Sequence, residues 1–170
     1  SFITHTADLF PDRTAVIYGE RRYTWAESYA RMRRLASALT GAGLGIGDTV
    51  SVIAANTPEM FEAHFGVPMA GCVLNTINTW LEAETISYIL ENSDCRVLIV
   101  DTAFAPAVVP ALESLPADVR KNIRVVDIRD AAMGDLAPVG DEDYESFIGA
   151  GDPDYDWQMP ADEWQALALG

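Results

Sequence analysis

The chain has 170 residues, of which 49% are hydrophobic and 22% charged, and its formal net charge is −15. This length and composition predict one globular domain that buries about 70% of the surface exposed by its unfolded chain. Nucleic-acid binding is disfavoured because Lys121 is the only lysine and no basic stripe is present. No apolar run approaches the ~20 residues that a membrane-spanning helix needs, and the N-terminus lacks the features of a signal peptide.

The first predicted elements are an N-terminal helix that contains His5 and a β-hairpin. The runs 14–19 and 22–23 flank the turn Gly19-Glu20-Arg21, as is typical of a hairpin. Thr24 and Glu27 then have the spacing of a capping box, which predicts a helix from Trp25. Its buried face comprises Trp25, Tyr29, Met32, Leu35 and Leu39, and the glycines at 41 and 43 end it.

Strands and helices alternate along the rest of the chain. A β-rich run at 49–54 precedes Thr57 and Pro58, which suit the N-cap and first position of a helix over 58–70. Further strands are predicted at 72–77, 96–100, 123–128 and 166–169, and further helices at about 82–91 and 102–115. This alternation predicts a three-layer α/β/α domain with a mainly parallel, Rossmann-like sheet, beside the N-terminal hairpin.

The negative charge is concentrated near the C-terminus. Residues 130–170 hold 11 of the 26 acidic residues and none of the 11 basic ones. We interpret the acidic, Gly- and Pro-containing segment 130–163 as a solvated connection with one short helix near Tyr144–Ile148. An acidic arm that binds a partner is the alternative interpretation.

The glycine cluster Gly41–Gly47 is interpreted as a helix cap and a turn. It has no G-x-G-x-x-G phase and follows a helix instead of preceding one, so it lacks the free amides of a phosphate cradle. His5 and His64 are interpreted as structural histidines. Glu62, two residues from His64, cannot face it across a helix.

Cys72 and Cys95 are interpreted as buried, reduced thiols without metal-ligand spacing, which favours a cytoplasmic location. Asp101 follows a strand end, which is a common position for chemistry in open α/β sheets. It could act as a receiver-type phospho-acceptor, but Lys121 precedes its strand instead of following it. We therefore expect Asp101 to be the N-cap of the helix 102–115.

Three stretches together resemble the adenylate-forming acyl-CoA synthetases. They are R-T-A-V-I-Y-G-E-R-R-Y-T-W-A-E-S-Y at 13–29, G-A-G-L-G-I-G-D-T-V-S-V-I-A-A-N-T-P-E at 41–59, and F-G-V-P-M-A-G-C-V-L-N-T-I-N at 65–78. The resemblance covers nearly all of 1–128 and continues at 164–170. It is strongest to the medium-chain and fatty acyl-CoA synthetase branch, which usually has Arg where this chain has Trp80.

The resemblance implies that residues 1–170 are the N-terminal subdomain of a larger ligase. That enzyme would use ATP, Mg²⁺ and CoA to convert a fatty or medium-chain carboxylate into its acyl-adenylate and then its thioester. The family's phosphate loop would follow Gly170, and its catalytic lysine lies in a mobile C-terminal domain. No catalytic, cofactor-binding or metal-binding residue is therefore assigned here, and the fragment alone is expected to bind no cofactor and to be inactive.

The expected partners are the remainder of the same chain and a small carboxylate, with no nucleic acid and no membrane span. A homodimer stays open, because no residue predicts an interface. Two alternative functions also stay open. One is an adenylation domain of the coumarate, luciferase or peptide-synthetase kind, and the other is a non-enzymatic α/β interaction or receiver-like module.

Overall fold

A six-stranded parallel sheet forms the centre of the molecule, which we describe from a computed structural model covering residues 2–134, 136–162 and 164–169. The strand order is β7-β6-β5-β3-β4-β8, and every neighbouring pair is parallel. The sheet strands are β3 (Thr49–Ile53), β4 (Val73–Thr76), β5 (Cys95–Asp101), β6 (Arg124–Ile128), β7 (Glu142–Asp143) and β8 (Ala168–Leu169). β3 and β5 are almost completely buried, as expected for central strands covered on both faces.

Helices cover both faces of this sheet. They are α1 (Phe2–Leu9), α2 (Trp25–Gly41), α3 (Pro58–Met69), α4 (Ala83–Asn92), α5 (Ala105–Ser114), α6 (Ala117–Arg120) and α7 (Tyr144–Gly149). One core cluster joins α2, α3 and α7 to the sheet, and a second joins α4 and α5 to it. The predicted three-layer α/β/α architecture is confirmed.

The predicted hairpin is also confirmed and stands apart from the main sheet. β1 (Thr14–Tyr18) pairs antiparallel with β2 (Arg21–Thr24). Gly19 in the turn has a φ of 56°, a conformation in which glycine carries no side-chain clash. No residue of either strand is fully buried, so polar contacts and partial packing hold the hairpin against the domain.

The predicted helix starts are present in atomic detail. The Thr24 hydroxyl accepts from the Glu27 amide, and the Glu27 carboxylate accepts from the Thr24 amide, which completes the capping box of α2. Thr57 caps α3 and Pro58 is its first residue. Gly43, with a φ of 87°, follows the end of α2, so the glycine cluster is a cap and a turn as predicted.

The interpretation of 130–163 as a solvated connection needs correction. The expected short helix is α7, but Tyr144, Phe147 and Ile148 on it are buried in the main core. Glu142 and Asp143 before it add the unpredicted strand β7 to the sheet. Apolar side chains three and four residues apart anchor the segment, because they form one face of a helical turn despite the surrounding charge.

Two glycines allow the same segment to lie against the domain. A Cβ at Gly140 would overlap the Val125 carbonyl oxygen, and one at Gly151 would overlap the Arg34 carbonyl oxygen. These residues are therefore points of close backbone approach as well as loop residues. Among the described residues, no helix combines the length and apolar character needed to cross a membrane.

Candidate functional site

The carboxyl edge of the sheet is the candidate site, because ligands of open α/β sheets bind where the chain direction switches. The chain passes from β3 to β4 on one side and then to β5 on the other side of β3. The switch point therefore lies between β3 and β5. It carries Asn56 and Thr57 after β3 and Asp101 at the end of β5.

Asp101 caps a short 3-10 helix, Thr102–Phe104, at this edge, so the predicted cap is present, but the α-helix that follows, α5, begins only at Ala105. The Asp101 side chain is 1% exposed, and one carboxylate oxygen accepts from the Ala103 amide at 2.9 Å. Burial raises the pKa of Asp101, and the nearby charge of Asp130 raises it further. Lys121 is exposed at the end of α6, on the amino side of β6, so the arrangement does not resemble a receiver-type site.

The hairpin is joined to the same edge by Tyr18. Its hydroxyl donates to the Asp130 carboxylate, a contact that raises the pKa of Tyr18 to about 12. On the adjacent side, the Arg21 guanidinium pairs with the buried Glu59 carboxylate at 2.7 Å. Two polar contacts therefore fix the position of the hairpin relative to β6 and α3.

A groove of about 620 Å³ lies between the hairpin and α3. Its walls are mainly apolar, with Val16 and Ile17 on one side and Phe61 and Phe65 on the other. Asn56 and Thr57 form its polar end at the switch point. The size and apolar walls of this groove would suit a small molecule or another segment of protein.

His64 lines this groove but has a structural hydrogen bond. Its Nδ1 atom lies 2.8 Å from the Met60 carbonyl oxygen of its own helix. Glu62 faces away from it and pairs with Arg31 instead. His64 and Glu62 thus have separate partners, and His5 is exposed on α1.

A second groove of about 470 Å³ lies at the ends of β3 and β4, where Ala54 faces the segment 76–80. The Asn78 side chain accepts from the Trp80 amide at 2.9 Å and shapes the turn. Trp80 itself is 91% exposed. At the position where the acyl-CoA synthetase branch usually has Arg, this chain therefore has an exposed indole at the carboxyl edge of the sheet.

Sequence reasoning missed the ionic cluster that joins α2, α3 and α7. Arg31 donates to Glu62 from Nε at 2.6 Å and to Glu145 from Nη2 at 2.6 Å. The Tyr144 hydroxyl donates to Glu62 at 2.8 Å. Burial raises the pKa of Glu62, whereas the hydrogen bond from Arg31 lowers the pKa of Glu145.

The two cysteines are free and buried, as predicted. Burial raises the pKa of Cys72 to about 12 and that of Cys95 to about 11, so neither thiol is an activated nucleophile. Within the described ranges, no three His, Cys, Asp or Glu side chains group closely enough to hold a metal ion. No chemical step is assigned to these residues.

Comparison with known proteins identifies the family. The AMP-binding enzyme family model matches residues 3–163. The chain is 41% identical over 177 aligned residues to the peroxisomal acetate/butyrate–CoA ligase of Arabidopsis thaliana, covering 99% of this chain. It is 40% identical over the same length to an acetate–CoA ligase of Humulus lupulus, again covering 99% of this chain.

A solved structure agrees at the level of the fold. The benzoate CoA ligase of Burkholderia xenovorans LB400 superposes with a TM-score of 0.78 at 24% identity, over 94% of this chain and 29% of that one. The chain spans 31% of the length of each of the two curated relatives. With the family model matching nearly its whole length, the chain belongs to the AMP-binding enzyme family.

Proposed function

We propose that this chain is the N-terminal part of an AMP-forming acyl-CoA ligase. The observation that carries the proposal is the 40–41% identity, over 99% of the chain, to ligases named for joining small carboxylic acids to CoA. In the proposed reaction a carboxylate oxygen attacks the α-phosphorus of ATP and pyrophosphate leaves. The CoA sulfur then attacks the acyl carbon, and AMP leaves as the thioester forms.

The contribution of residues 1–170 to this reaction is proposed to be structural. The carboxyl edge of the parallel sheet supplies one wall of the active-site cleft, with a groove on each side of the β3 end. The ATP phosphates, Mg²⁺ and CoA are proposed to bind mainly to the remainder of the enzyme. The isolated chain is therefore proposed to be inactive.

The carboxylate is proposed to be aliphatic. The resemblance within the sequence favours fatty or medium-chain acids, and the two curated relatives are named for acetate and butyrate. The full-length protein should be incubated with ATP, Mg²⁺, CoA and one acid at a time: acetate, butyrate, octanoate, palmitate, benzoate or coumarate. Mass spectrometry of the acyl-CoA products and chromatography of the nucleotides then give both the substrate and the reaction type.

Formation of AMP with an aliphatic acyl-CoA would support the proposal. Preference for coumarate or benzoate would place the enzyme in a different branch of the family. Formation of ADP, or of no thioester with any acid, would contradict an AMP-forming ligase.

The cellular location is proposed to be cytoplasmic, on the basis of the reduced cysteines. Relatives such as the Arabidopsis thaliana acetate/butyrate–CoA ligase are named as peroxisomal, which makes the peroxisome the competing location. Microscopy of the full-length protein, with a fluorescent tag placed internally so that both termini stay native, distinguishes the two. Coincidence with a peroxisomal marker would overturn the cytoplasmic proposal.

A further inference from the structure

The ion pair between the hairpin and α3 leaves two buried polar atoms without partners. Arg21 Nη2 donates to Glu59 Oε1 at 2.7 Å in a single contact. Within the part of the chain that the structure describes, Arg21 Nε and Glu59 Oε2 are buried and lack a hydrogen-bond partner. The Glu59 side chain is only 4% exposed, so a carboxylate oxygen left there without a hydrogen bond is destabilising.

A small cavity adjoins this pair. It has a volume of about 50 Å³, and Arg21 and Glu59 both line it, together with Asp127, Arg129, Asp143 and Glu145. A cavity needs roughly 10–15 Å³ to hold one water molecule, so this space is sufficient. It lies where the hairpin, α3, the end of β6 and the start of α7 meet.

The other carboxylates that line the cavity are already engaged. Asp127 accepts from the amides of Val139 and Gly140. Asp143 caps α7 by accepting from the amide and the hydroxyl of Ser146. Glu145 forms an ion pair with Arg31 of α2. Arg129 is exposed, so its guanidinium can bond to solvent. Among the described side chains at the cavity, the buried polar atoms without a hydrogen-bond partner are one donor, Arg21 Nε–H, and one acceptor, Glu59 Oε2.

We propose that this cavity binds an ordered water molecule that accepts from Arg21 Nε–H and donates to Glu59 Oε2. Water fits because it supplies both an acceptor and a donor. A cation would leave the Arg21 N–H unmet and would lie beside a guanidinium. An anion would leave Glu59 Oε2 unmet and would lie beside a carboxylate. The water thereby adds a second link between the hairpin and α3.

A high-resolution crystal structure of the full-length protein tests this site. The expected result is a single density peak at hydrogen-bond distance, about 2.7–3.2 Å, from both Arg21 Nε and Glu59 Oε2. A structure in which Arg21 and Glu59 form a bidentate pair, with no density peak between them, would overturn the proposal. A peak with oxygen ligands at the shorter distances of a metal ion would also overturn it.

A variant tests the energetic role of the site. Arg21→Lys keeps the charge beside Glu59 but removes the Nε–H donor. We expect the bridging peak to disappear and the unfolding equilibrium constant to rise about tenfold in denaturant titrations. The matched control is Arg22→Lys on the same strand. Arg22 is exposed and, within the described ranges, donates to carbonyl oxygens of the hairpin, so this variant should change that constant less than about twofold. If Arg21→Lys does not fold, the electron density at the cavity in the wild-type crystal structure still tests the proposal. An unchanged peak in Arg21→Lys would contradict the proposal.

Discussion

Replacing Tyr144 by Phe should destabilise the fold measurably while removing a single atom. The Tyr144 side chain is 2% exposed, and its hydroxyl donates to the buried Glu62 carboxylate at 2.8 Å. A hydrogen bond to a charged group contributes about 1.5–3 kcal/mol, and Glu62 keeps Arg31 as a partner in the variant. We therefore expect a loss of about 2 kcal/mol in the free energy of unfolding, or roughly 4–8 °C in Tm.

Tyr155→Phe is the matched control for this experiment. The Tyr155 hydroxyl lies 3.1 Å from the Thr40 hydroxyl at an exposed position, so its loss should cost less than about 0.5 kcal/mol. Both variants should be compared with the wild type by urea titration at pH 7. Equal losses in the two variants, or no loss in Tyr144→Phe, would refute the importance assigned to the buried contact.

The pH dependence of the free energy of unfolding provides a second test with the same variant. Burial, with the adjacent Glu62 charge, raises the pKa of Tyr144 well above its usual value of about 10. The folded state therefore holds this proton more tightly than the unfolded state does, and the stability from Tyr144 falls as the pH rises above about 10. Tyr144→Phe cannot show this loss, so the difference in stability between the two proteins should shrink at alkaline pH. A constant difference from pH 7 to pH 11 would contradict the assignment.

Gly66→Ala should destabilise the contact between α2 and α3 by about 1–3 kcal/mol in thermal unfolding, because the new Cβ would lie 2.8 Å from Leu35 Cδ2. Gly41→Ala, at the end of α2 with open space around it, should be neutral or stabilising, and a similar loss in both would argue against close packing at Gly66. Cys72 and Cys95 should react with iodoacetamide at pH 8 at least about tenfold more slowly in the folded protein than in urea, since their pKa values are raised to about 12 and 11. Rapid labelling of the folded protein would contradict their burial.

Local sequence signals predicted much of the fold correctly. The Thr24–Glu27 capping box, the Thr57-Pro58 helix start and the Asp101 cap depend on residues three or fewer positions apart. The buried central strands could be predicted because they are nearly continuous apolar runs. Such features are encoded locally, so one sequence suffices to find them.

The features that were missed depend on contacts between distant parts of the chain. Arg31, Glu62 and Tyr144 become neighbours only after α2, α3 and α7 pack together. β7 has two residues, and its strand character comes from pairing with β6. The acidic composition of 130–163 suggested solvent exposure because charge dominated the apolar spacing of Tyr144, Phe147 and Ile148.

Part of the candidate site could also be predicted from the sequence. The position of Asp101 at a strand end could be read from the sequence, and so could the exclusion of the glycine cluster as a phosphate cradle. The groove between the hairpin and α3 could not be predicted, because it depends on how Tyr18 and Arg21 fix the hairpin in space. The proposed reaction and the proposed supporting role of this chain both come from the family resemblance, and the structure adds the two grooves at the carboxyl edge.

The most direct test of the account is carboxylate-dependent exchange between ATP and labelled pyrophosphate, measured in parallel for the full-length protein and for residues 1–170. The exchange reports formation of the acyl-adenylate before CoA takes part. We expect exchange in the full-length protein with an aliphatic acid and none above background for the 170-residue chain. Exchange catalysed by the 170-residue chain alone, or none in the full-length protein with any of the acids, would contradict it.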